Sequence, residues 1–369
     1  MPAWRTWGRW RARERKTHQP VNIMKKLYSF LFAALAVVAM AQVFVACESD
    51  CEEPAPQIER PETSHIFMTT NKNVGEEVVL HFSQGGIVGL PPVLIGAEKA
   101  WQYDAEGNLP RKLKYKLTAQ SVIIEGKIKY LESVKNGLSS LDVSMCPALE
   151  TLLCGHNSLK QIDLSGNPNL TELNCAKNYL TELDLSHNPE LLYLSCGANL
   201  FTELDLSHNP KLKSFTCTSY DLIRDRFSLS SLNLEGCEEL ELFQCCGHKL
   251  TSLDLSGNTK LKELYCYENE LTSLNLKGCE SLKRMQCFQN NLTSLDLSDC
   301  VNLEYFSCFN NNITGEGLTD MINLLPDRTG RETGSFYAFY RSADMELALT
   351  EEHKAILASK NWEAKPYIK

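Results

Sequence analysis

Eight cysteines recur at a nearly fixed interval through the centre of the chain, with six gaps of 21 residues and one of 28. A thiol can form a disulfide, ligate a metal ion or pack as a small apolar group, so such a column could carry chemistry. The column consists of Cys154, Cys175, Cys196, Cys217, Cys245, Cys266, Cys287 and Cys308. A fixed interval of this length is typical of stacked repeats.

Three interpretations of the cysteine column can be compared from the geometry of stacked turns. Neighbouring Cα atoms would lie about 4.8 Å apart, but parallel side chains keep the Cβ atoms farther apart than the ~3.8 Å typical of a disulfide. Sulfurs in a line cannot surround a tetrahedral metal ion. The sequence therefore favours a buried column of free thiols and predicts no metal and no cofactor, with disulfides and a metal cluster as the alternatives.

Each cysteine lies in the same local motif. Residues Leu191–Asn199 read L-x-x-L-x-C-x-x-N and residues Leu180–Asn188 read L-x-x-L-x-L-x-x-N, so one unit nests two short motifs. The pattern over residues 128–312 resembles the nested 21-residue subclass of bacterial leucine-rich repeats, in particular the cysteine-bearing repeats of some internalins. The inward strand position recurs nine times, at Leu131, Leu152, Leu173, Leu194, Phe215, Phe243, Leu264, Met285 and Phe306.

The expected fold is α/β: a leucine-rich-repeat solenoid of short parallel strands with a β-rich N-terminal cap and a small α/β C-terminal cap. Strands are predicted in the first cap at 64–70, 77–82, 101–103 and 114–124, and a helix, a strand, a second helix after Thr350 and a final strand in the last cap. The predicted divisions are 1–47 as a signal segment (1–23 a mis-assigned start), 48–63 as a linker, 64–127 as the N-terminal cap, 128–312 as nine turns, and 313–369 as the C-terminal cap.

The chain before the first cap resembles a bacterial lipoprotein signal. Basic Met24–Lys26 precedes the apolar stretch Leu27–Val45, and Cys47 follows small residues as the predicted lipidated residue. An uncleaved membrane anchor is the alternative. The acidic run Glu48–Glu53 resembles a tag for the outer face of the outer membrane, with a solvated linker as the alternative. The expected location is thus the outer membrane, surface-exposed and extracytoplasmic.

The net charge of −9 indicates which partners to expect. The N-terminal 46 residues are basic, so the remaining chain is more acidic than this value. An acidic surface argues against a nucleic-acid partner, which requires a basic stripe, and keeps a repeat protein soluble.

Two polar columns run beside the cysteines. Asparagines such as Asn157 and Asn178 are expected to hydrogen-bond backbone groups in the turns, with a glycan-binding ladder as the alternative. Aspartates such as Asp184 and Asp205 form an exposed column for which a Ca²⁺ site is the alternative interpretation. A seven-residue insertion, Asp221–Phe227, accounts for the single 28-residue gap.

Residues that flank the inward leucine and cysteine are expected to project from the concave face of the strands. Aromatic residues concentrate there in the last turns, and contiguous exposed aromatics indicate a binding surface. Packing against the C-terminal cap is the alternative. The predicted ligand-binding residues, for a protein or a glycan, are Tyr265, Tyr267, Arg284, Gln286, Phe288, Tyr305 and Phe309.

These features favour a non-enzymatic, lipid-anchored cell-surface protein that binds a macromolecular partner, of the adhesin or host-interaction type. A glycan-capture component of an outer-membrane uptake system is the alternative. A hydrolase in the N-terminal region is a third hypothesis, but that region contains no nucleophile elbow, no HExxH motif and no close His, Asp and Ser set. No catalytic residue is predicted.

Overall fold

The computed structural model describes residues 64–83, 93–100, 113–219, 229–340 and 349–367. The predicted signal segment, Cys47, the linker, the insertion at 221–227 and the predicted strand at 101–103 lie outside these ranges. In the described part of the chain, no helix is both long and apolar enough to cross a bilayer.

The N-terminal region is built from antiparallel strands. The nine strands are β1 His65–Thr70, β2 Glu77–Val79, β3 His81–Ser83, β4 Val93–Ile95, β5 Ala97–Lys99, β6 Lys114–Leu117, β7 Ser121–Glu125, β8 Tyr130–Glu132 and β9 Leu138–Met145. The predicted run 114–124 divides into two strands because the chain turns at 118–120, and the run 77–82 divides at Leu80. The strand β1 lies between β7 and β9 with β4 beyond β7, while β6 lies between β2 and β5.

The repeats form short strands, most of them three residues long. Each such strand consists of one inward residue, usually leucine, and the residue before and after it. The strands are β10 Thr151–Leu153, β11 Glu172–Asn174, β12 Tyr193–Ser195, β13 Glu203–Asp205, β14 Ser214–Thr218, β15 Ser231–Asn233, β16 Leu242–Cys246, β17 Ser252–Asp254, β18 Glu263–Tyr265, β19 Ser273–Asn275, β20 Arg284–Gln286 and β21 Tyr305–Ser307. After the first unit, the second half of each unit is a turn or a short strand, as predicted, and the described strands there pair as β13 with β15 and β17 with β19.

The C-terminal region comprises α1 Gly315–Leu324, β22 Gly334–Tyr340, α2 Glu351–Ser359 and β23 Trp362–Tyr367. Leu318, Met321 and Ile322 form the buried face of α1, and the Met321 sulfur lies 3.9 Å from the Cys308 sulfur of the last turn. Thr350 caps α2 and forms a capping box with His353, as the Thr350 position predicts. The four elements confirm the predicted order of helix, strand, helix and strand.

One 12-stranded sheet runs through the molecule in the order β23-β22-β21-β20-β18-β16-β14-β12-β11-β10-β8-β3. All its pairs are parallel except that of β3 with β8. The inward positions are in register from turn to turn, for example Leu152 with Leu173 and Phe215 with Phe243, which confirms the predicted column. The fold is the expected solenoid of parallel strands.

The core follows this register. The inward leucines and phenylalanines are almost fully buried, and the cysteines lie beside them. Close stacking also fixes a glycine: a Cβ on Gly166 would lie 1.9 Å from the carbonyl oxygen of Ser144 on the preceding turn. A side chain at that position would force the two turns apart.

All thirteen cysteines in the described residues are free thiols and all are buried. Burial raises the pKa of Cys154 to about 12, so its nucleophilic thiolate form is scarce at neutral pH. Cys217 differs, because hydrogen bonds with Cys196, Cys245 and His248 lower its pKa. The column therefore serves as a packing element, in which a small sulfur atom occupies a position where a leucine would crowd the turn.

Candidate functional site

The solvent side of the parallel sheet, called the strand face below, is made by the two residues that flank each inward leucine. In a strand such as Glu172–Leu173–Asn174, the central residue is buried in the core and the two flanking residues are half-buried on the strand face. Because the pairing is in register, equivalent residues form straight columns across the turns. The strand face is therefore a regular surface on which side chains from successive turns lie side by side.

The prediction that Phe288 and Phe309 are exposed is wrong. Phe288 is 6% exposed and Phe309 is 1% exposed. Their rings stack on each other and on Tyr267 with centroids 4.5 Å apart in both steps. The strands end before these residues, and the chain turns at the next one in the left-handed conformation, so the rings line the turn rather than the strand face.

Of the other predicted residues, Tyr265, Arg284, Gln286 and Tyr305 come together on the strand face of the last turns. Tyr267 instead belongs to the ring stack in the turn. Arg284 is exposed, and its guanidinium carbon lies 4.7 Å from the centroid of the Tyr305 ring. The side-chain amide of Gln286 donates a hydrogen bond to the Tyr305 hydroxyl at 3.3 Å. Tyr305 in turn packs against Tyr337, with ring centroids 4.6 Å apart. A cation–π contact at an exposed site contributes about 0.5–1 kcal/mol, so it favours this orientation of the guanidinium group.

Tyr265 completes the arrangement one turn earlier. Its hydroxyl donates to a Glu263 carboxylate oxygen at 2.6 Å. Partial burial and the hydrogen bond to Glu263 raise the pKa of Tyr265, with a smaller opposing effect of Arg284, so the phenol stays protonated at neutral pH. The strand patch is defined here as Glu263, Tyr265, Arg284, Gln286, Tyr305 and Tyr337.

Sequence reasoning missed Tyr337. The residue lies outside the repeats, on β22, whose Phe336 pairs with Phe306 of the inward column. A usable signal exists in the sequence: aligning Phe336 of the strand predicted in the last cap with that column places Tyr337 on the strand face. The patch thus combines the repeats with the C-terminal region.

The asparagine column has the predicted structural role. The side-chain amide of Asn178 donates to the carbonyl oxygens of Cys154 at 3.1 Å and Cys175 at 2.9 Å. Its oxygen accepts from the backbone amide of Leu159 at 3.0 Å. Each such asparagine therefore ties one turn to the turn before it, and the contacts recur at Asn157, Asn199, Asn269, Asn290 and Asn311.

The aspartates form hydrogen bonds within the turns of the second half of the units. The carboxylate of Asp184 accepts a hydrogen bond from the backbone amide of Ser186 at 2.9 Å, and hydrogen bonds from the Ser186 side chain and backbone lower its pKa. Equivalent contacts occur at Asp163, Asp205, Asp254 and Asp296. Within the described ranges, no group of three or more His, Cys, Asp or Glu side chains is arranged to hold a metal ion.

Comparison with known proteins points to one repeat family. The family model described as "Leucine Rich repeat" matches residues 176–189. A comparison with curated proteins finds no match.

Several solved structures are similar. The functional domain of InlJ from Listeria monocytogenes, which includes a cysteine ladder, is 27% identical with a TM-score of 0.49, covering 61% of this chain and 52% of that chain. The leucine-rich effector YopM from Yersinia pestis is 25% identical with a TM-score of 0.44, covering 57% and 55%. The Leptospira interrogans leucine-rich-repeat protein LIC12759 is 21% identical with a TM-score of 0.37, covering 50% and 54%. The chain thus spans about half the length of these relatives.

Proposed function

Because the chain folds as a leucine-rich-repeat solenoid, we propose that it is a non-enzymatic scaffold that binds a protein partner through the strand face. Repeat solenoids offer extended surfaces of this kind, and the fold suggests protein binding. The observation that carries the proposal is the exposed Arg284 held on the Tyr305–Tyr337 stack. Fold analogy alone would leave the binding surface unassigned.

Arginine and tyrosine are the residue types that contribute most binding energy in protein interfaces. Binding usually orders a long arginine side chain, and that ordering costs conformational entropy. Stacking on Tyr305 restricts the guanidinium group before a partner arrives, so less entropy is lost on binding. The planar guanidinium group then presents two parallel donors that match a carboxylate.

The strand patch therefore suits a protein that inserts an acidic side chain beside an apolar or aromatic one. The acid pairs with Arg284, and the neighbouring group contacts the half-buried ring of Tyr265, because Arg284 and Tyr337 already cover the Tyr305 ring. Within this proposal, an adhesin or host-interaction role is the kind of protein binding that suits a protein at the cell surface.

Replacing both Arg284 and Tyr305 with alanine should weaken capture of the partner at least about 30-fold, because two central contacts are lost. The measurement is quantitative mass spectrometry of proteins captured by the full chain from extracts of surface-biotinylated epithelial cells. Arg331→Ala removes an exposed arginine on the C-terminal side of the last repeat and serves as the control.

A protein retained by the Arg331→Ala control and lost by the double variant, with an unchanged melting temperature, supports the proposal. Capture that the double variant leaves intact would remove the strand patch from the site. If the full chain bound a glycan on an array through the same residues and captured no protein, the glycan-capture alternative would be favoured.

We also propose that the chain is anchored in the outer membrane through lipid on Cys47 and faces the exterior. The basic, apolar and small-residue order before Cys47 supports this proposal, and so does the acidic run after it. Replacing Cys47 with serine should abolish incorporation of an alkyne-labelled fatty acid and release the protein from membranes. Equal labelling of both forms would contradict the anchor, and labelling by an impermeant reagent only after permeabilisation would contradict surface exposure.

A further inference from the structure

The first three turns carry basic residues at one equivalent position, two residues after the inward Ser133, Cys154 or Cys175. We call Lys135, His156 and Lys177 the basic row. All three are exposed and have left-handed φ values of 59°, 56° and 57°. The backbone amides of His156 and Lys177 each donate to a carbonyl one turn further on, both at 2.8 Å. The row is therefore held at the spacing of the turns, about 4.8 Å per step.

The basic row is positively charged in an acidic protein. Among the described residues, no ion pair involves Lys135 or Lys177, although lysines on later turns pair with glutamates, as Lys211 does with Glu190. Partial burial lowers the pKa of His156, and the charges of Lys177 and Lys135 lower it further. The three side chains are thus close enough to interact and lack a compensating acid.

The charge is confined to one end of this edge. At the same position, the following turns carry Ala198, Ser219 and Gly247 and then Glu268. A ligand attracted to the row therefore meets positive charge over about two turn spacings, or roughly 10 Å, and neutral or acidic groups beyond.

An exposed aromatic ring lies next to the row. Tyr179 is 51% exposed and is separated from Lys177 by one residue, the buried Asn178. The residues between the row and the strands are Val134, Gly155 and Ala176, two of which are small. The ring offers an apolar face beside the cations, which is a combination that suits a sugar bearing anionic groups.

We propose that the basic row and Tyr179 bind a sulfated polysaccharide chain that lies along the first three turns. Two lysine cations about 10 Å apart, with a histidine between them, fit a linear ligand with spaced oxyanions better than a single small anion. Duplex nucleic acid carries one charge per about 1.7 Å, and the acidic remainder of the protein would repel so dense a charge. This site is separate from the strand patch and does not depend on the proposed function.

The test measures binding of dextran sulfate to the full chain by calorimetry, with uncharged dextran of equal length as the reference. Replacing Lys135 and Lys177 with glutamine should weaken binding at least about 10-fold, because both lysine cations of the row are lost. The matched control replaces Lys211 and Lys262 with glutamine, which changes the net charge equally at two exposed lysines on later turns. Tyr179→Ala should weaken dextran sulfate binding about three- to tenfold and leave inorganic polyphosphate binding unchanged.

The expected result is binding of dextran sulfate but not dextran, lost with the row variant and retained with the control at unchanged melting temperature. Equal losses in both double variants would overturn the proposal, since they would indicate attraction to any lysine. Tighter binding of polyphosphate or duplex DNA through the same lysines would overturn the assignment to a polysaccharide. Binding of uncharged dextran at equal affinity would overturn the role of the cations.

Discussion

Phe243→Ala lowers the free energy of unfolding by about 3–5 kcal/mol, the range for removing a buried phenylalanine and leaving a cavity. Phe243 is 0% exposed, and its ring centroid lies 5.5 Å from that of Phe215 on the neighbouring turn. The turns on both sides are held by strand pairing, so they cannot readily collapse into the space. Urea-induced unfolding followed by circular dichroism measures the loss.

The control for this variant is Leu242→Ala, one residue earlier in the same strand. Leu242 is half-buried on the strand face, so its truncation removes less packed surface and should cost roughly 1 kcal/mol or less. Because neighbouring turns depend on each other, a weakened central turn should also broaden the transition of Phe243→Ala. Equal losses for the two variants would show that the inward column is not the main source of stability.

Asn178→Asp is expected to cost about 3 kcal/mol or more at pH 7, although the two side chains have nearly the same shape. Asn178 is 3% exposed and its amide donates to two carbonyl oxygens. A carboxylate has no proton to donate, so it would place a buried negative charge against both acceptors. Chemical denaturation at several pH values measures the cost.

The pH dependence of this variant has a defined sign. Burial and the two carbonyl oxygens favour the protonated carboxyl group, so its pKa in the folded state lies above the unfolded value of about 3.9. The folded state then binds the proton more tightly, and the deficit relative to the native protein shrinks as pH falls through the folded pKa. The deficit is smallest below about pH 4.

Asn174→Asp is the matched control for this substitution. Asn174 is half-buried on the strand face, and its oxygen only accepts a hydrogen bond, from the amide of Ala176 at 3.2 Å. A carboxylate keeps that role, so little stability should be lost and little pH dependence gained. If both variants lost the same free energy at pH 7, the buried hydrogen bonds of Asn178 would not hold the turns together.

The repeat part of the fold could be predicted from the sequence because the turns impose one strict period. A residue such as Leu194 must lie beside Leu173 once the units stack, so spacing alone places it in the core. The same period identified the asparagines that tie the turns together. In this region the position of a residue within the repeat is enough to predict which residues of the neighbouring turns lie beside it.

The error at Phe288 and Phe309 has a physical cause. Alternation of side chains holds only while the chain is extended, and these strands end after three residues. The turn begins at Gln289 and Asn310, where φ is positive, so the alternating pattern cannot be continued. The prediction applied the side-chain alternation of a strand to residues that lie in a turn.

Regions outside the repeats have no period to guide prediction. The eight-residue strand β9 pairs antiparallel with β1, so the N-terminal sheet extends into the second half of the first predicted unit. Tyr337 joins the strand patch for a similar reason, since its strand comes from the C-terminal region. Contacts between segments far apart in sequence determine both features, and local patterns do not reveal them.

The in-register parallel pairing has an evolutionary consequence. Since each inner strand of the large sheet contacts one strand before it and one after it, removing or duplicating a whole unit joins surfaces that already fit. Recombination between units could therefore lengthen or shorten the protein in 21-residue steps while both ends remain intact. Partner selection could then diversify through the number of units as well as through point substitution.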